Sequence, residues 1–188
     1  MGNVAQSPEN MAPDPWVTRF APLVPAKGTV LDLASGGGRH ARMFLGRGHS
    51  VVALDRDVAR LSDLADHTGL EISAVDVEAE SWPFEDRLFD GIVVVNYLHR
   101  PLLPVLARSL RPGGVLIYRT FALGNERYGK PSNPNFLLRP NELLDAFAAT
   151  LEVVAYEAGE VDAPRAAVIQ RICAVRRAND APVRLPPA

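Results

Sequence analysis

Residues 30–40 read Val30-Leu31-Asp32-Leu33-Ala34-Ser35-Gly36-Gly37-Gly38-Arg39-His40. An apolar run holding one carboxylate passes straight into a glycine-rich turn, and a helical pattern, Arg39–Arg47, follows. The order is strand, tight turn, helix. Glycine permits positive φ and lets other groups come close to the backbone. The helix start beyond the turn leaves N–H groups unpaired and carries partial positive charge. Several kinds of nucleotide-binding fold share such a turn, so it predicts a fold class before it predicts a ligand.

Outward from this unit, short apolar strands alternate with helical segments. Strands are expected at Thr29–Leu33, Ser50–Leu54, Glu71–Val75, Phe89–Val95 and Val115–Phe121, and two more near Leu151–Glu157 and Val168–Val175. Helical patterns lie at Arg39–Arg47, Asp57–His67, Leu102–Leu110 and about Asn141–Ala148, with a short helix after Asp14-Pro15, a capping residue followed by proline. Alternation of this kind predicts an α/β fold: a Rossmann-like, seven-stranded, mostly parallel sheet with helices on both faces. The run Gly91–Val95 is apolar throughout, as a central strand buried on both faces requires. The last two strands are joined by a loop, Ala158–Arg165, without a helix pattern, which predicts an antiparallel end to the sheet. Residues 1–13 read as a flexible arm, 14–177 as one domain and 178–188 as a frayed tail.

The chain has 188 residues, 47% hydrophobic and 22% charged, the balance of an ordinary globular protein. A net charge of −2 excludes nucleic-acid binding through bulk positive charge but leaves room for a local basic patch. No apolar run is long enough to span a bilayer. The N-terminal segment lacks the basic start and apolar stretch of a secretory signal, and a cytoplasmic location is expected. The single Cys173 excludes an internal disulfide and a cysteine-based zinc site, and His40, His49, His67 and His99 show no metal-ligand spacing. No metal is expected.

Two readings of the glycine turn compete. Gly36-x-Gly38-x-x-Ala41, with Asp55 further on, also fits a dinucleotide fingerprint. Asp32 discriminates. A carboxylate at the strand end would repel a pyrophosphate, but it suits S-adenosylmethionine, which carries a sulfonium and an ammonium and no phosphate.

Asp32-x-Ala34-x-Gly36-x-Gly38 resembles the first motif of class I S-adenosylmethionine-dependent methyltransferases, with Ala34 in place of the usual first glycine. Val51–Asp57 is similar to that family's second strand, Ser73–Glu78 to its third-strand motif, and Leu110–Ile117, through Pro112-Gly113-Gly114, to its turn into the fifth strand. The resemblance runs from about Trp16 to Arg176. The Gly36–His40 run followed by Phe44-Leu45-Gly46-Arg47-Gly48 resembles the tellurite-resistance subgroup in particular. The resemblance implies S-adenosyl-L-methionine as cofactor. It implies contacts from Asp32, Ala34, Gly36, Gly38 and Arg39 around the turn, and Asp55 on the ribose hydroxyls with Arg56 beside it. Asp76 then accepts from the adenine amino group, Val77 offers the next backbone N–H, and Asn96 and Tyr97 lie beside the methionine part. Asp57 is the better helix cap, which leaves Asp55 free. Asp90 is expected to be structural.

Tyr97 and His99 are the candidate catalytic groups, His99 as a pocket-lining residue that a proton-bearing acceptor would need as a base. Methyl transfer mainly requires alignment of a nucleophile, so the resemblance predicts the reaction and not the acceptor. A small-molecule acceptor is expected, with RNA as an alternative. A dinucleotide-binding oxidoreductase and a silent cofactor-binding module stand as alternatives of other classes. Arg100, Arg119, Arg127, Lys130 and Arg139 flank or punctuate the long polar connection after the fifth strand. If they converge on the cleft, residues 125–139 form a lid that presents cations to an anionic acceptor. Oligomeric state is not legible.

Overall fold

The computed structural model describes residues 12–187. Of the expected N-terminal arm only residues 12 and 13 fall within this range; the rest, and residue 188 of the tail, lie outside the described residues.

Seven strands form one sheet: β1 (Thr29–Leu33), β2 (Ser50–Asp55), β3 (Leu70–Ala74), β4 (Phe89–Val95), β5 (Leu110–Phe121), β6 (Glu152–Val161) and β7 (Ala167–Val175), in the order β3-β2-β1-β4-β5-β7-β6. Pairs among β1–β5 are parallel. β7 runs antiparallel to both β5 and β6, so it is the reversed strand. Among the described residues four α-helices accompany the sheet: α1 (Pro15–Phe20), α2 (Arg39–Gly46), α3 (Leu103–Arg108) and α4 (Glu142–Phe147).

Period-two alternation divides the strands between two cores. Leu31, Leu33, Val52, Leu54, Ile92, Val94, Leu116 and Tyr118 face one side, with Leu106 of α3 and Leu143 and Phe147 of α4. Val30, Val51, Ala53, Val93, Val115 and Ile117 face the other, with Trp16, Val17 and Phe20 of α1 and Ala41 and Phe44 of α2. The α1 start is as the sequence predicts: Pro15 stands in the first turn, and the Asp14 side chain accepts from the Trp16 N–H at 2.9 Å.

Four elements differ from expectation. The helix predicted over Asp57–His67 is a 3₁₀ turn, Ala59–Leu64. Its inward residues Val58, Leu61 and Leu64 are spaced by three, and side chains at that interval eclipse on a 3₁₀ helix. The helix predicted over Leu102–Leu110 is split into a 3₁₀ turn, Arg100–Leu102, and α3, and Leu110 already belongs to β5. Pro112-Gly113-Gly114 therefore does not precede the strand. It bulges within β5: Phe89 pairs with Leu110 and Gly91 with Val115, and Gly113 takes φ +84°. The final hairpin is longer than expected, β6 running to Val161.

Candidate active site

Because β1, β2, β4 and β5 are parallel, their carboxyl ends share one edge of the sheet, where ligands of open α/β sheets sit. A cavity of about 430 Å³ lies along this edge. That falls in the range of about 300–1,000 Å³ typical of small-molecule sites.

Its first wall is the end of β1 and the start of the turn after it, Leu33 and Ala34; Gly36 and Gly38, further round the turn, are outside the lining. Ala34, Gly36 and Gly38 all adopt left-handed φ, +55°, +55° and +72°. The Ser35 N–H donates to the Leu54 carbonyl at 3.1 Å, and the Gly36 N–H donates to Asp55 Oδ2 at 2.8 Å, so the turn is tied to the end of β2. A Cβ on Gly38 would lie 2.5 Å from Leu61 Cδ2, which makes glycine necessary for close packing as well as for φ. Asp55 is therefore not free of backbone partners: Oδ1 also accepts from the Asp57 N–H at 3.0 Å, while Asp57 Oδ1 accepts from Ala59 N–H. Each carboxylate oxygen keeps a second acceptor position, and Asp55 and Arg56 line the cavity.

Beyond β3, Asp76, Val77 and Glu78 form the next part of the wall. Asp76 Oδ1 accepts from the Glu78 N–H at 3.0 Å, closing a turn that fixes its carboxylate. At the end of β4, Asn96 takes φ +59°, and its side-chain oxygen accepts from Arg119 Nη1. Tyr97 follows, half-buried, its carbonyl accepting from the Tyr118 hydroxyl at 2.9 Å. The Tyr97 hydroxyl is buried without a hydrogen-bond partner. Burial, and then the negative charge of Glu78, push its pKa well above the ordinary tyrosine value, so it is a proton donor at neutral pH and not a base.

Asp32 is placed differently from the expectation. It is 1% exposed and is not part of the cavity wall. Oδ2 accepts from the Ala41 N–H at 2.9 Å in the first turn of α2, and Oδ1 lies 3.8 Å from His40 Nδ1. His40 Nε2 accepts from the Asp14 N–H at 3.2 Å, so the proton of the neutral ring sits on Nδ1, facing Asp32. Asp14 Oδ2 is 3.6 Å from Arg119 Nε, and Arg119 reaches Asn96. A buried polar chain thus runs from the glycine turn, behind the sheet edge, to the floor of the cavity. Nothing local marks His40 or Asp14 as members of it; Asp14 reads as a helix cap, which it also is.

Of the remaining expected residues, Arg39 points elsewhere, its Nη1 donating to the Ala12 carbonyl at 3.3 Å. His99 does not line the cavity; it opens the turn into α3, and its carbonyl accepts from the Leu102 N–H. The basic residues do not converge either. Arg100 grips Glu142 with two nitrogens, at 2.6 and 2.9 Å, and donates to the Asn135 and Leu137 carbonyls at 2.6 and 2.8 Å. Arg119 is 8% exposed and committed to Asp14 and Asn96. Arg127 pairs with Glu160 and donates to the Gly124 carbonyl. Lys130 and Arg139 are exposed and outside the wall. The segment after β5 does reach the cavity, but through Pro131 and Phe136. The cationic lid expected from the sequence is replaced by an apolar wall. Pro131 and Phe136 lie within the 125–139 segment expected to cover the cleft, whereas Glu78, Leu98, Thr120 and Phe121 are among the lining residues that sequence reasoning missed; an aromatic at a parallel strand's carboxyl end was a usable signal for Phe121.

Among the described residues no group of three or more His, Cys, Asp or Glu is placed to hold a metal ion, and no helix is long and apolar enough to cross a membrane.

Residues 30–114 match the family model described as "Methyltransferase domain". No curated protein matches the chain by sequence. Among solved structures it resembles TehB from Haemophilus influenzae, with 19% identity and a TM-score of 0.67 over 86% of this chain, and spans 61% of the TehB chain. It also resembles 1,6-didemethyltoxoflavin-N1-methyltransferase from Burkholderia thailandensis, solved with 1,6-didemethyltoxoflavin and S-adenosylhomocysteine, at 20% identity and TM-score 0.65, covering 90% of this chain and 80% of that one. The N-methyltransferase NodS from Bradyrhizobium japonicum matches at 14% identity and TM-score 0.62, covering 85% and 93%. At these identities the likenesses are of fold. The family match supplies what they do not: the segment it covers, residues 30–114, carries the glycine turn, both acids and the end of β4, and that segment is a methyltransferase domain.

Proposed function

We propose that residues 14–177 form one methyltransferase domain that transfers the methyl group of S-adenosylmethionine to a small-molecule acceptor. The observation that carries this reading is the pair of acids on the wall of one cavity, Asp55 at the end of β2 and Asp76 just past β3, both on the β2–β3 side of the tied glycine turn. The donor set fits the cofactor: carboxylates for the ribose hydroxyls and the adenine amino group, the Val77 N–H for the ring, and an unpartnered Tyr97 hydroxyl beside Asn96. When bound, the cofactor supplies an already activated methyl group on a sulfonium. The chain's own work is then to bind and orient. Asp55 holds the turn and offers its remaining lone pairs. Asp32, sealed behind the turn, anchors α2 through the Ala41 N–H and places negative charge near the site without touching it. Tyr97, protonated, donates a hydrogen bond. Leu98 and Phe121, buried on the wall, exclude water from the polar contacts beside them, which strengthens those contacts.

A small molecule is preferred to RNA because the cavity wall bears three acids, Asp55, Asp76 and Glu78, against one cation, Arg56. A phosphate backbone needs the opposite balance. We also propose a cytoplasmic location.

Calorimetry with S-adenosylhomocysteine tests the reading. Asp55→Ala removes charge-assisted hydrogen bonds worth roughly 1.5–3 kcal/mol, so affinity should fall roughly ten- to a hundredfold. Binding of NADH with none of S-adenosylhomocysteine would overturn the assignment. Radiolabelled methyl transfer into separate metabolite and RNA pools then decides the acceptor class.

A further inference from the structure

We infer that the acceptor is a planar aromatic molecule, neutral or positively charged, seated against Phe121, Pro131 and Phe136 at the β5 end of the cavity. This rests on the function proposed above and names its substrate class.

The first argument is position. The cavity crosses the strand ends from β3 to β5, four strand spacings, or roughly 19 Å at roughly 4.8 Å each. The acids suited to the cofactor's nucleoside, Asp55 and Asp76, lie at the β2–β3 end. At the opposite end the wall is Thr120 and Phe121 from β5, with Pro131 and Phe136 from the connection after it. A nucleoside held by the two acids leaves this end to the other reactant.

The second argument is chemistry. Phe136 is 49% exposed, a large ring at the rim of a cavity in a segment otherwise rich in Pro, Asn and Ser. Its neighbours at the cavity are a proline and a second phenylalanine, Phe121, which is 9% exposed. Aromatic rings stack offset or edge-to-face on such walls and gain from both area and geometry. The Tyr97 hydroxyl is buried, makes no close hydrogen bond within the chain and lies near Glu78 on the same wall. It suits a lone pair on the acceptor's own ring or substituent.

The third argument is charge. Of the cations near this end, Arg100 is spent on Glu142 and two carbonyls and Arg119 on Asp14 and Asn96, while exposed Lys130 and Arg139 lie outside the wall. The charged groups that remain on the wall are Glu78, Asp55, Asp76 and, at the far end, Arg56. A carboxylate entering here meets no counter-ion at this end, since the one wall cation, Arg56, lies at the end that carries Asp55 and Asp76. A neutral ring needs none, and a cation is attracted to the same acids and to the aromatic faces.

The test uses the full chain saturated with S-adenosylhomocysteine and three probes sharing one ring system: 1-naphthol, 1-naphthylmethylamine and 1-naphthoate, titrated by saturation-transfer NMR. The naphthol and the amine should bind, and the naphthoate should bind at least roughly tenfold more weakly. Phe136→Ala should weaken the two binders roughly fivefold or more while S-adenosylhomocysteine affinity, by calorimetry, stays within about twofold, and Phe136→Trp should restore them. Phe136 is a half-exposed loop residue, so its variants fold, and a melting curve verifies that. Naphthoate binding as tightly as naphthol overturns the inference. So does binding of none of the three, or a Phe136→Ala effect that falls on S-adenosylhomocysteine instead. Failure of the wild type to bind S-adenosylhomocysteine at all is read separately, in the calorimeter, and takes down the underlying function as well.

Discussion

Replacing Arg100 by methionine should cost the fold far more than a surface arginine would. The guanidinium holds the 3₁₀ turn after β4 to α4 and to the connection that carries Phe136, through Glu142 and the Asn135 and Leu137 carbonyls. Methionine keeps the apolar stem and removes every donor. The pair is neither exposed nor sealed: the side chains are 31% and 16% accessible. Exposed pairs are worth about 0.2–1 kcal/mol, and stripping one partner from a buried pair costs about 3–5 kcal/mol, so a loss of about 2–3 kcal/mol is expected. For a chain of this length that lowers Tm by about 5–10 °C. The loss should depend on pH. Burial alone raises the Glu142 pKa, but the Arg100 hydrogen bonds, the Arg139 N–H and the Arg100 and Arg139 charges outweigh it, and the carboxyl sits below its ordinary value. A carboxyl with a lowered folded pKa stabilises above its unfolded pKa, about 4.3, and that contribution is lost as pH falls through the folded value. The gap between wild type and Arg100→Met should therefore be full at pH 7 and shrink below about pH 4. Urea unfolding followed by circular dichroism across that range measures it. A shift under about 0.5 kcal/mol at pH 7, or a gap that does not narrow in acid, would refute the clamp.

Gly38→Ala forces a side chain into φ +72° with its Cβ 2.5 Å from Leu61 Cδ2. A loss of about 2–4 kcal/mol in chemical denaturation is expected, and a loss below about 1 kcal/mol would show that the 3₁₀ turn yields. Ala34→Gly relieves left-handed strain at φ +55°, offset by a freer unfolded chain. The net should be neutral to about 1 kcal/mol stabilising in the same assay, with destabilisation as the contrary result. Arg127→Gln loses only a pair with exposed Glu160. Stability should move by less than about 0.5 kcal/mol, with S-adenosylhomocysteine affinity unchanged in calorimetry; a tenfold affinity loss would return this arginine to the site.

The sheet was legible because its signals are local. β1, β2, β4 and β5 are near-continuous apolar runs, as strands between two cores must be, and a glycine turn needs only its own residues to take positive φ. Helix type was less legible: Val58, Leu61 and Leu64 suit a 3₁₀ turn by spacing alone, yet the surrounding window reads equally well as α-helix.

By itself, then, the sequence determined the strand order's raw material, the turn at Gly36–Gly38, and the placing of Asp55 and Asp76 at strand ends. Only the tertiary structure decided what the charged residues do. Arg100 meets Glu142 from 42 residues away, Arg127 meets Glu160 from 33, and Arg119 of β5 meets Asp14, the cap of α1. Whether a cation is free for a ligand depends on which acid or carbonyl the fold brings beside it, and sequence neighbours do not carry that information. Asp32 shows the same for burial: a strand-end carboxylate reads as a ligand contact until α2 folds over it and takes it with the Ala41 N–H. Electrostatic availability is a pairwise property of the folded chain, whereas strand and turn are properties of a few consecutive residues.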